Sequence, residues 1–340
     1  MRLPKLQMGI LLVVALVLMA CAPPAAPASD AGADSASSES AESADAGSDA
    51  GPIKIAINEW TGQHVTAHFL GNVLEHAGLE VEYVTAGAVP QFAALAEGTI
   101  HMQPEVWNNN VGEIYPEAVA DGTVIEIGSL GLNNREGWAY PKYMEEMCPG
   151  LPSMQGLIDC AETLATAETA PQGRLLAYPA DWGTRTIDAV AALDLPFVAV
   201  PAGSEGAQIA EIQSAVVAEQ PLVLMFWAPH WIHAEVEMGW VDIEPAYEDD
   251  CLEDPAWGPN PDMANDCDFA QALVLKSMWA GVAETWPVAQ TILEQFTLDG
   301  TEQSKMVIEI DQNGRDIDEV IDEWMAANEA LWMPWVESVQ

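Results

Sequence analysis

Basic residues are scarce in this chain of 340 residues. Ten Lys and Arg stand against 53 Asp and Glu, which gives a formal net charge of −43 at pH 7. We expect no nucleic-acid binding, because phosphate contacts need a basic face. Attraction between distant charges is screened within about 10 Å at moderate salt. We therefore interpret the acidic excess as a solvated surface rather than as a means of attracting cations.

Long apolar runs are also lacking beyond the N-terminus. The run at residues 8–19 is short, and no later run approaches the roughly 20 residues that cross a bilayer as a helix. Any membrane pore that this chain serves must therefore be another polypeptide.

The common motifs of enzymes are missing as well. No Cys-x-x-Cys, Gly-x-Ser-x-Gly, P-loop or Gly-x-Gly-x-x-Gly segment occurs, so zinc, thiol-redox, hydrolase and nucleotide chemistry lack support. One metal candidate remains, because His230, His233 and Glu237 have helical spacing. A lone His pair without the His-Glu-x-x-His pattern is usually structural. We expect no catalytic residues, no metal and no cofactor.

The N-terminus has the pattern of an export signal. Arg2 and Lys5 precede the apolar run, and the segment L-M-A-C that ends at Cys21 matches the lipobox of bacterial lipoprotein signal peptides. We predict a signal peptide at residues 1–21 with lipid attached to Cys21. The alternative is an ordinary signal peptide or an anchor helix that ends in Cys. The predicted location is extracytoplasmic, with a lipid anchor in the cell membrane.

Residues 22–51 contain only Ala, Pro, Ser, Asp, Gly and Glu. Such a segment buries too little apolar surface to offset its ordering entropy, so we predict a disordered acidic tether. A flexible segment of this length reaches about 30 Å. Folded structure is expected to begin near Pro52.

The cysteines suggest a disulfide framework. With Cys21 assigned to lipid, four Cys remain, and three pairings among them are possible. In an exported, oxidising setting, the short separations favour the local bridges Cys148–Cys160 and Cys251–Cys267.

Strand and helix patterns alternate from residue 52 onward. Residues 52–58, 80–84 and 99–106 are predicted strands, and residues 64–76 and 91–97 are the helices between them. This β-α-β-α-β order indicates parallel strands joined by crossover helices, hence an α/β unit.

A similar alternation follows between residues 137 and 227 and indicates a second α/β lobe. Residues 242–268 are acidic, Pro-rich and held by two Cys, so we interpret them as an insertion. The predicted organisation is lobe I at residues 52–134, lobe II at 135–234, and a return of 235–340 to lobe I. Four helices are predicted in the C-terminal part, near residues 269–283, 287–296, 301–309 and 317–330.

Tryptophan is abundant, with 13 in the chain. Four of them follow predicted strands, namely Trp60, Trp107, Trp182 and Trp227. Ligands bind open α/β sheets beyond the carboxyl ends of the strands, so we expect these indoles to converge on one cleft. An indole face is the best protein partner for a cation that donates no hydrogen bond, such as trimethylammonium. The alternative is that each Trp only caps the core.

Five ordered segments carry a resemblance to a known family. They are N-E-W-T-G at residues 58–62, F-A-A-L-A-E-G at 92–98, E-V-W at 105–107, G-W-A-Y-P-K-Y at 137–143 and F-W-A-P-H-W at 226–231. Together they resemble the glycine betaine/proline betaine substrate-binding proteins of osmoprotectant ABC importers. The resemblance covers most of residues 52–240. It implies an α/β, two-lobed periplasmic-binding-protein-like fold of type II, with the ligand cleft between the lobes and a helical C-terminal part.

The resemblance also implies a function and its partners. We expect the chain to capture glycine betaine or a related quaternary-ammonium solute and to deliver it to the membrane subunit of an ABC permease. It is expected to act as a monomer and not as an enzyme. Lobe closure about crossovers near residues 133–136 and 230–234 is expected to complete the site.

The resemblance assigns the ammonium end of the ligand to an aromatic cage. Carried over by position, Trp107, Trp182 and Trp227 form this cage. Trp60 and Trp138 are candidates to replace or extend it.

The carboxylate end of the ligand is assigned to polar donors. His230, within the F-W-A-P-H-W segment, resembles a carboxylate-side donor. The loop Trp60-Thr61-Gly62 supplies backbone N–H groups, and this has an independent reason, because a loop that enters a helix N-terminus favours anions.

The choice of ligand stays open. Glu59 and Glu105 lie beside the predicted cleft, and either one lining it would favour a bare cation such as choline over a zwitterion. The alternative is that they face solvent or pair with Arg185 or Lys142. The cage motif does not separate choline, carnitine, proline or sulfonium analogues from betaine. A metal-dependent enzyme and a surface module whose exposed Trp residues bind a protein are the competing function classes.

Overall fold

The computed structural model describes residues 50–252 and 254–340. The predicted signal peptide, the lipidated Cys21 and residues 22–49 of the predicted tether lie outside the described residues. Among the helices that are described, none has both the length and the apolar character needed to cross a bilayer.

The first of two sheets contains five strands, β1 (Ile53–Ile57), β2 (Val81–Thr85), β3 (Met102–Trp107), β4 (Val124–Ser129) and β10 (Val274–Trp279). Their order across the sheet is β2-β1-β3-β10-β4. β1 is parallel to β2 and β3, whereas β10 is antiparallel to β3 and β4. The crossover helices predicted between the first three strands require this parallel pairing.

The second sheet contains the five strands β5 (Arg135–Pro141), β6 (Gly173–Ala177), β7 (Phe197–Pro201), β8 (Leu224–Ala228) and β9 (Met238–Trp240). Their order is β7-β6-β8-β5-β9. β6 is parallel to β7 and β8, and β5 is antiparallel to β8 and β9. Each sheet and its helices form one lobe, so the predicted two-lobed α/β fold is confirmed.

Helices cover both sheets, and the longest, α1, follows the first strand. Its apolar residues Val65, Phe69 and Val73 are fully buried, as expected from their helical spacing. The helices are α1 (Thr61–His76), α2 (Gln91–Ala96), α3 (Ile114–Ala120), α4 (Met144–Met147), α5 (Met154–Asp159), α6 (Arg185–Ala192), α7 (Glu205–Ala218), α8 (Val282–Thr285), α9 (Pro287–Gln295), α10 (Gly300–Asp311), α11 (Ile317–Ala327) and α12 (Glu329–Glu337).

The chain crosses between the sheets twice along its strand path. It leaves the first sheet after Ser129 and enters the second at Arg135, then leaves at Trp240 and returns at Val274. This return lies later than the predicted residue 235, because the short strand β9 pairs with β5 in the second sheet. The segment 230–234, predicted as a crossover, connects β8 and β9 within that one sheet.

The helix predicted at residues 269–283 is wrong, because the middle of that segment, Val274–Trp279, is strand β10. β10 lies between β3 and β4, and all its residues except the last are buried. A strand buried on both faces loses the alternation of apolar and polar residues that identifies a half-buried strand. Its apolar residues therefore also fitted a helical pattern.

Both predicted disulfides are confirmed. Cys148–Cys160 and Cys251–Cys267 have Cα–Cα distances of 5.6 and 6.3 Å, which are ordinary values for a disulfide. Each bridge closes a short loop, of 12 and 16 residues in sequence separation. Such cross-links stabilise the fold mainly by restricting the unfolded chain.

Candidate functional site

A cavity of about 460 Å³ lies between the two lobes. Strands of both sheets deliver aromatic residues to it near the points where they end. Trp60 follows β1, Trp107 is the last residue of β3, and Trp227 is the next to last of β8. Trp182 lies in the short helical turn Ala180–Trp182 after β6. All four line the cavity, as the position of each after a strand predicts.

The rings meet across the boundary between the lobes. The centroids of Trp60 in the first lobe and Trp182 in the second are 5.0 Å apart, with an angle of 64° between the ring planes. Trp182 and Trp227 are 5.5 Å apart at 66°. Tyr178 adds a fifth ring, 5.4 Å from Trp182 and 5.8 Å from Trp227. Because the rings are steeply inclined to each other, their faces point in different directions, as in a cage.

Glu105 fixes two of these indoles and is itself 2% exposed. Its Oε1 accepts the Nε1–H groups of Trp60 at 2.9 Å and Trp107 at 3.1 Å. Its Oε2 accepts Thr66 Oγ1–H at 2.6 Å and Gln303 Nε2–H at 2.8 Å. Burial raises the pKa of Glu105, and these four donated hydrogen bonds oppose that rise.

The two glutamates that the sequence places beside the cleft have different environments in the structure. Glu105 lines the cavity, whereas Glu59 is exposed. The alternative partners for Glu105 are bound elsewhere. Lys142 pairs with Glu237 at 2.7 Å, and Arg185 donates to the carbonyl oxygen of Asp268 at 2.9 Å.

A second carboxylate, Glu136 on β5, also lines the cavity. Its Oε1 accepts Tyr178 Oη–H at 2.8 Å and its Oε2 accepts Asn109 Nδ2–H at 2.5 Å. Burial raises the pKa of Glu136, and both hydrogen bonds lower it again. Within the described part of the chain, no Lys or Arg lines this cavity. The described lining thus contains two carboxyl groups and no positively charged side chain, an arrangement that suits a cation.

Sequence reasoning missed Glu136 and Tyr178, although a signal was present for both. Tyr178 directly follows β6, so it meets the same criterion as the strand-end Trp residues. Glu136 lies near the start of β5, and the antiparallel register places it opposite Trp227. That register depends on a pairing between distant segments, which the sequence does not show.

Trp138 lies outside the cavity lining. In the same register it is opposite Met225, two residues deeper into the sheet than Glu136. It is fully buried, its ring packs 5.7 Å from Phe269, and its Nε1–H donates to Thr186 Oγ1 at 3.4 Å. The ring thus packs in the core of the second lobe.

A buried network of amide side chains lies beside Glu105. Asn58 Nδ2 donates to Gln91 Oε1 at 2.9 Å, and Gln103 Nε2 donates to Asn58 Oδ1 at 2.9 Å. Gln103 Oε1 in turn accepts the backbone N–H of Glu105 at 3.0 Å. Since all these groups are paired, the network fixes β1, β3 and α2 relative to each other. It was not identified from the sequence.

The residues predicted to hold a ligand carboxylate lie beside the cage. Gly62 and His230 line an adjoining cavity of about 300 Å³, which shares Trp60, Trp107 and Trp227 with the first. The Thr61 amide N–H donates to Glu205 Oε2 at 2.9 Å, and His230 Nε2 lies 3.3 Å from Glu205 Oε1. In the structure, a carboxylate of the chain itself thus engages these donors.

The candidate metal residues do not form a metal site. His230 Nε2 lies against Glu205, and His233 Nε2 contacts the carbonyl oxygen of Trp227 at 2.9 Å. Across residues 50–252 and 254–340, no group of three or more His, Cys, Asp or Glu is placed to hold a metal ion.

A family model for the substrate binding domain of ABC-type glycine betaine transport systems matches residues 51–327. The chain belongs to this family. The resemblance found in the sequence is thereby confirmed, and the chain is a substrate-binding protein of the ABC-type glycine betaine transport family. Such components of importers act outside the cytoplasm.

One curated relative is named for the binding of a methylated amine oxide. The trimethylamine N-oxide-binding protein of Pelagibacter ubique (strain HTCC1062) is 25% identical over 295 residues. These residues make up 84% of this chain and 91% of that protein.

Two solved structures share the fold. Lactococcal OpuAC in its closed-liganded conformation with glycine betaine has a TM-score of 0.65 and 15% identity, covering 84% of this chain and 99% of that one. An ABC-transporter choline-binding protein in complex with choline has a TM-score of 0.68 and 16% identity, covering 84% and 92%. At such identities the likeness shows the fold alone, and it confirms the two-lobed periplasmic-binding-protein-like fold of type II.

Proposed function

We propose that this chain captures a solute with a methylated ammonium group in the cavity between its lobes and delivers it to an ABC permease. The observation that carries the proposal is the contact of Trp60 from one lobe with Trp182 from the other, which itself packs against Trp227. A trimethylammonium group is charged, apolar at its surface and without an N–H. Indole faces are the protein groups that bind such a cation best.

The energies are adequate for this task. Micromolar binding requires about −8 kcal/mol. Three desolvated contacts between the cation and indole faces contribute about 2 kcal/mol each, before the entropy lost on binding. Attraction to the buried carboxylates of Glu105 and Glu136 supplies a further favourable contribution.

Two carboxylates in the lining favour a bare cation over a zwitterion. Choline therefore fits the electrostatics of the cavity better than glycine betaine, carnitine or proline, each of which carries a carboxylate. Trimethylamine N-oxide, after which the curated relative is named, has the same methylated head and also lacks a carboxylate. The cage alone accepts the head group of all these methylated solutes.

The proposal includes the setting in which the chain works. The lipobox at Cys21 supports a lipid anchor, and we propose that residues 22–51 connect this anchor to the folded part. We propose that the chain acts there as a monomer. Binding and release, without catalysis, are sufficient for this role, since a ring cage needs no reactive group.

A matched pair of ligands tests the proposal. Choline and 3,3-dimethyl-1-butanol have the same shape and hydroxyl group, but a neutral carbon replaces the ammonium nitrogen in the second. We expect isothermal titration calorimetry to give a choline Kd at least about 100-fold lower, because the neutral analogue loses the attraction of its charge to the ring faces. Equal affinities would show a merely apolar pocket. A chain that binds no methylated amine at all would contradict the proposed function.

A further inference from the structure

Glu205 is a buried carboxylate next to the ring cage. It is the first residue of α7 in the second lobe and is 6% exposed. Its Oε2 accepts the Thr61 amide N–H at 2.9 Å and lies 3.4 Å from Thr61 Oγ1. It therefore reaches across the lobe boundary to the N-terminus of α1, where the orphan N–H groups and the helix dipole favour an anion.

His230 completes the surroundings of this carboxylate. Its Nδ1 accepts the backbone N–H of Ile232 at 3.1 Å, so the neutral ring carries its proton on Nε2. Nε2–H then donates to Glu205 Oε1 at 3.3 Å. The Thr61 amide and His230 Nε2, which we call the donor pair, are thus both occupied by one side chain.

The donor pair belongs to the group that the family resemblance assigns to the carboxylate of a betaine ligand. Glu205 and His230 line the adjoining cavity, which shares the indoles of Trp60, Trp107 and Trp227 with the cage. A betaine whose ammonium lay among these rings would direct its carboxylate to the donor pair. In this chain, Glu205 already supplies that carboxylate.

We propose that Glu205 is a specificity-determining residue that excludes carboxylate-bearing solutes from the site. It fills the anion position with a group of the chain, so the solute selected has a methylated ammonium head and no carboxylate, as in a choline-type alcohol or an amine N-oxide. This inference rests on the proposed function, because it concerns the second end of the same ligand.

The charges around the donor pair act in the same direction. Thr61 Oγ1–H also donates to Asp311 Oδ1 at 2.8 Å, and Trp231 Nε1–H donates to Asp311 Oδ2 at 2.9 Å. Within the described residues, no Lys or Arg lines the cavity that contains Glu205. A ligand carboxylate would therefore meet occupied donors and the carboxyl groups of Glu205, Asp311 and Glu105, and like charges at close range cost affinity.

Glu205→Ala tests the inference in the purified chain, with Kd values for choline, trimethylamine N-oxide and glycine betaine measured by calorimetry. We expect the wild type to bind choline or the N-oxide at least about 100-fold more tightly than betaine. Glu205→Ala frees the donor pair, so the ratio of the affinities is expected to shift toward betaine by at least about tenfold. Glu205→Gln removes the charge but keeps the volume, and a smaller shift of about threefold or more is expected.

Two further variants make the result specific. Glu211→Ala removes another carboxylate of α7, one that pairs with Arg174 at 2.8 Å outside both cavities, and the ligand ratio is expected to stay at its wild-type value. Adding His230→Ala to Glu205→Ala removes half of the donor pair, and the gained betaine affinity is expected to be lost.

The outcomes separate the inference from the proposed function. A wild type that binds betaine as tightly as choline overturns the role of Glu205, as does an unchanged ligand ratio in both Glu205 variants with native circular dichroism. If Glu205 only braced the lobes, its loss would lower the melting temperature and leave the ratio unchanged, which also contradicts the inference. Failure of every protein to bind any methylated amine refutes the proposed function instead.

Discussion

Trp182 and Trp227 are the two indoles that the second lobe contributes to the cavity, and both are nearly buried. Trp182→Ala and Trp227→Ala are each expected to weaken choline binding by at least about tenfold, because each removes one desolvated contact with the cation, worth about 2 kcal/mol. Calorimetry of the purified variants measures the effect.

Trp138→Phe serves as the matched control for these variants. Trp138 is a fully buried Trp of the same lobe that lies outside the cavity lining. Its replacement is expected to reduce the free energy of unfolding. The choline Kd is expected to change by less than about twofold, because a substitution in the core that does not contact the ligand acts independently of the binding site. Similar losses of affinity for all three variants would show a general effect of Trp removal and would contradict the cage.

The sequence locates the cage rings better than the groups that orient them. Trp60, Trp107, Trp182 and Trp227 were found because the carboxyl ends of parallel strands gather side chains at one edge of a sheet. Glu136 was not predicted from the sequence, because its position in the cavity depends on its register with Trp227. Such a register is set by pairing between distant segments, and local patterns do not encode it.

Lys276 illustrates how β10 supports the first lobe. This buried side chain donates from Nζ to the carbonyl oxygens of Leu293 at 2.7 Å, Glu294 at 3.1 Å and Phe296 at 2.7 Å, at the C-terminal end of α9. Burial lowers its pKa to about 8, so the ammonium stays protonated at pH 7. A cation at this end of a helix satisfies its orphan carbonyls and complements its dipole.

Lys276→Met is therefore expected to lower the free energy of unfolding by about 3 kcal/mol, since it leaves buried carbonyl groups without a donor. Urea denaturation followed by circular dichroism measures the loss. Lys305→Met is the control, because Lys305 pairs with Glu302 at the surface, at 2.6 Å, and exposed pairs contribute less than about 1 kcal/mol. Equal losses for the two variants would refute the capping role of Lys276.

Helices and strands could be predicted where the segment's own sequence shows which of its residues are buried. Apolar periodicity identified α1, since Val65, Phe69 and Val73 lie about one turn apart and are fully buried. It failed for β10, which is buried on both sides, and for β4, whose residues after Val124 are mostly exposed at the sheet edge. In both strands the burial of each residue depends on the position of the strand in the sheet. The sequence of the segment alone therefore does not predict a strand clearly.

The two-lobed architecture follows from the alternation of strands and helices in two separate stretches of chain. The point at which the chain returns to the first sheet could not be predicted in this way, because β9 has only three residues and is held by its pairing with β5. The cavity lies where the lobes meet, and Trp60–Trp182 and Thr61–Glu205 are contacts between them. Neither lobe alone therefore contains the complete site.

The central claim is that indoles of both lobes surround one methylated cation. The most direct test is an isotope-filtered nuclear Overhauser measurement with choline labelled with ¹³C at its N-methyl groups. Indole signals are assigned by single Trp→Phe replacements. We predict contacts from the N-methyl protons to Trp60 or Trp107 of the first lobe and also to Trp182 or Trp227 of the second. Contacts to the indoles of one lobe only, or to none, would contradict the account.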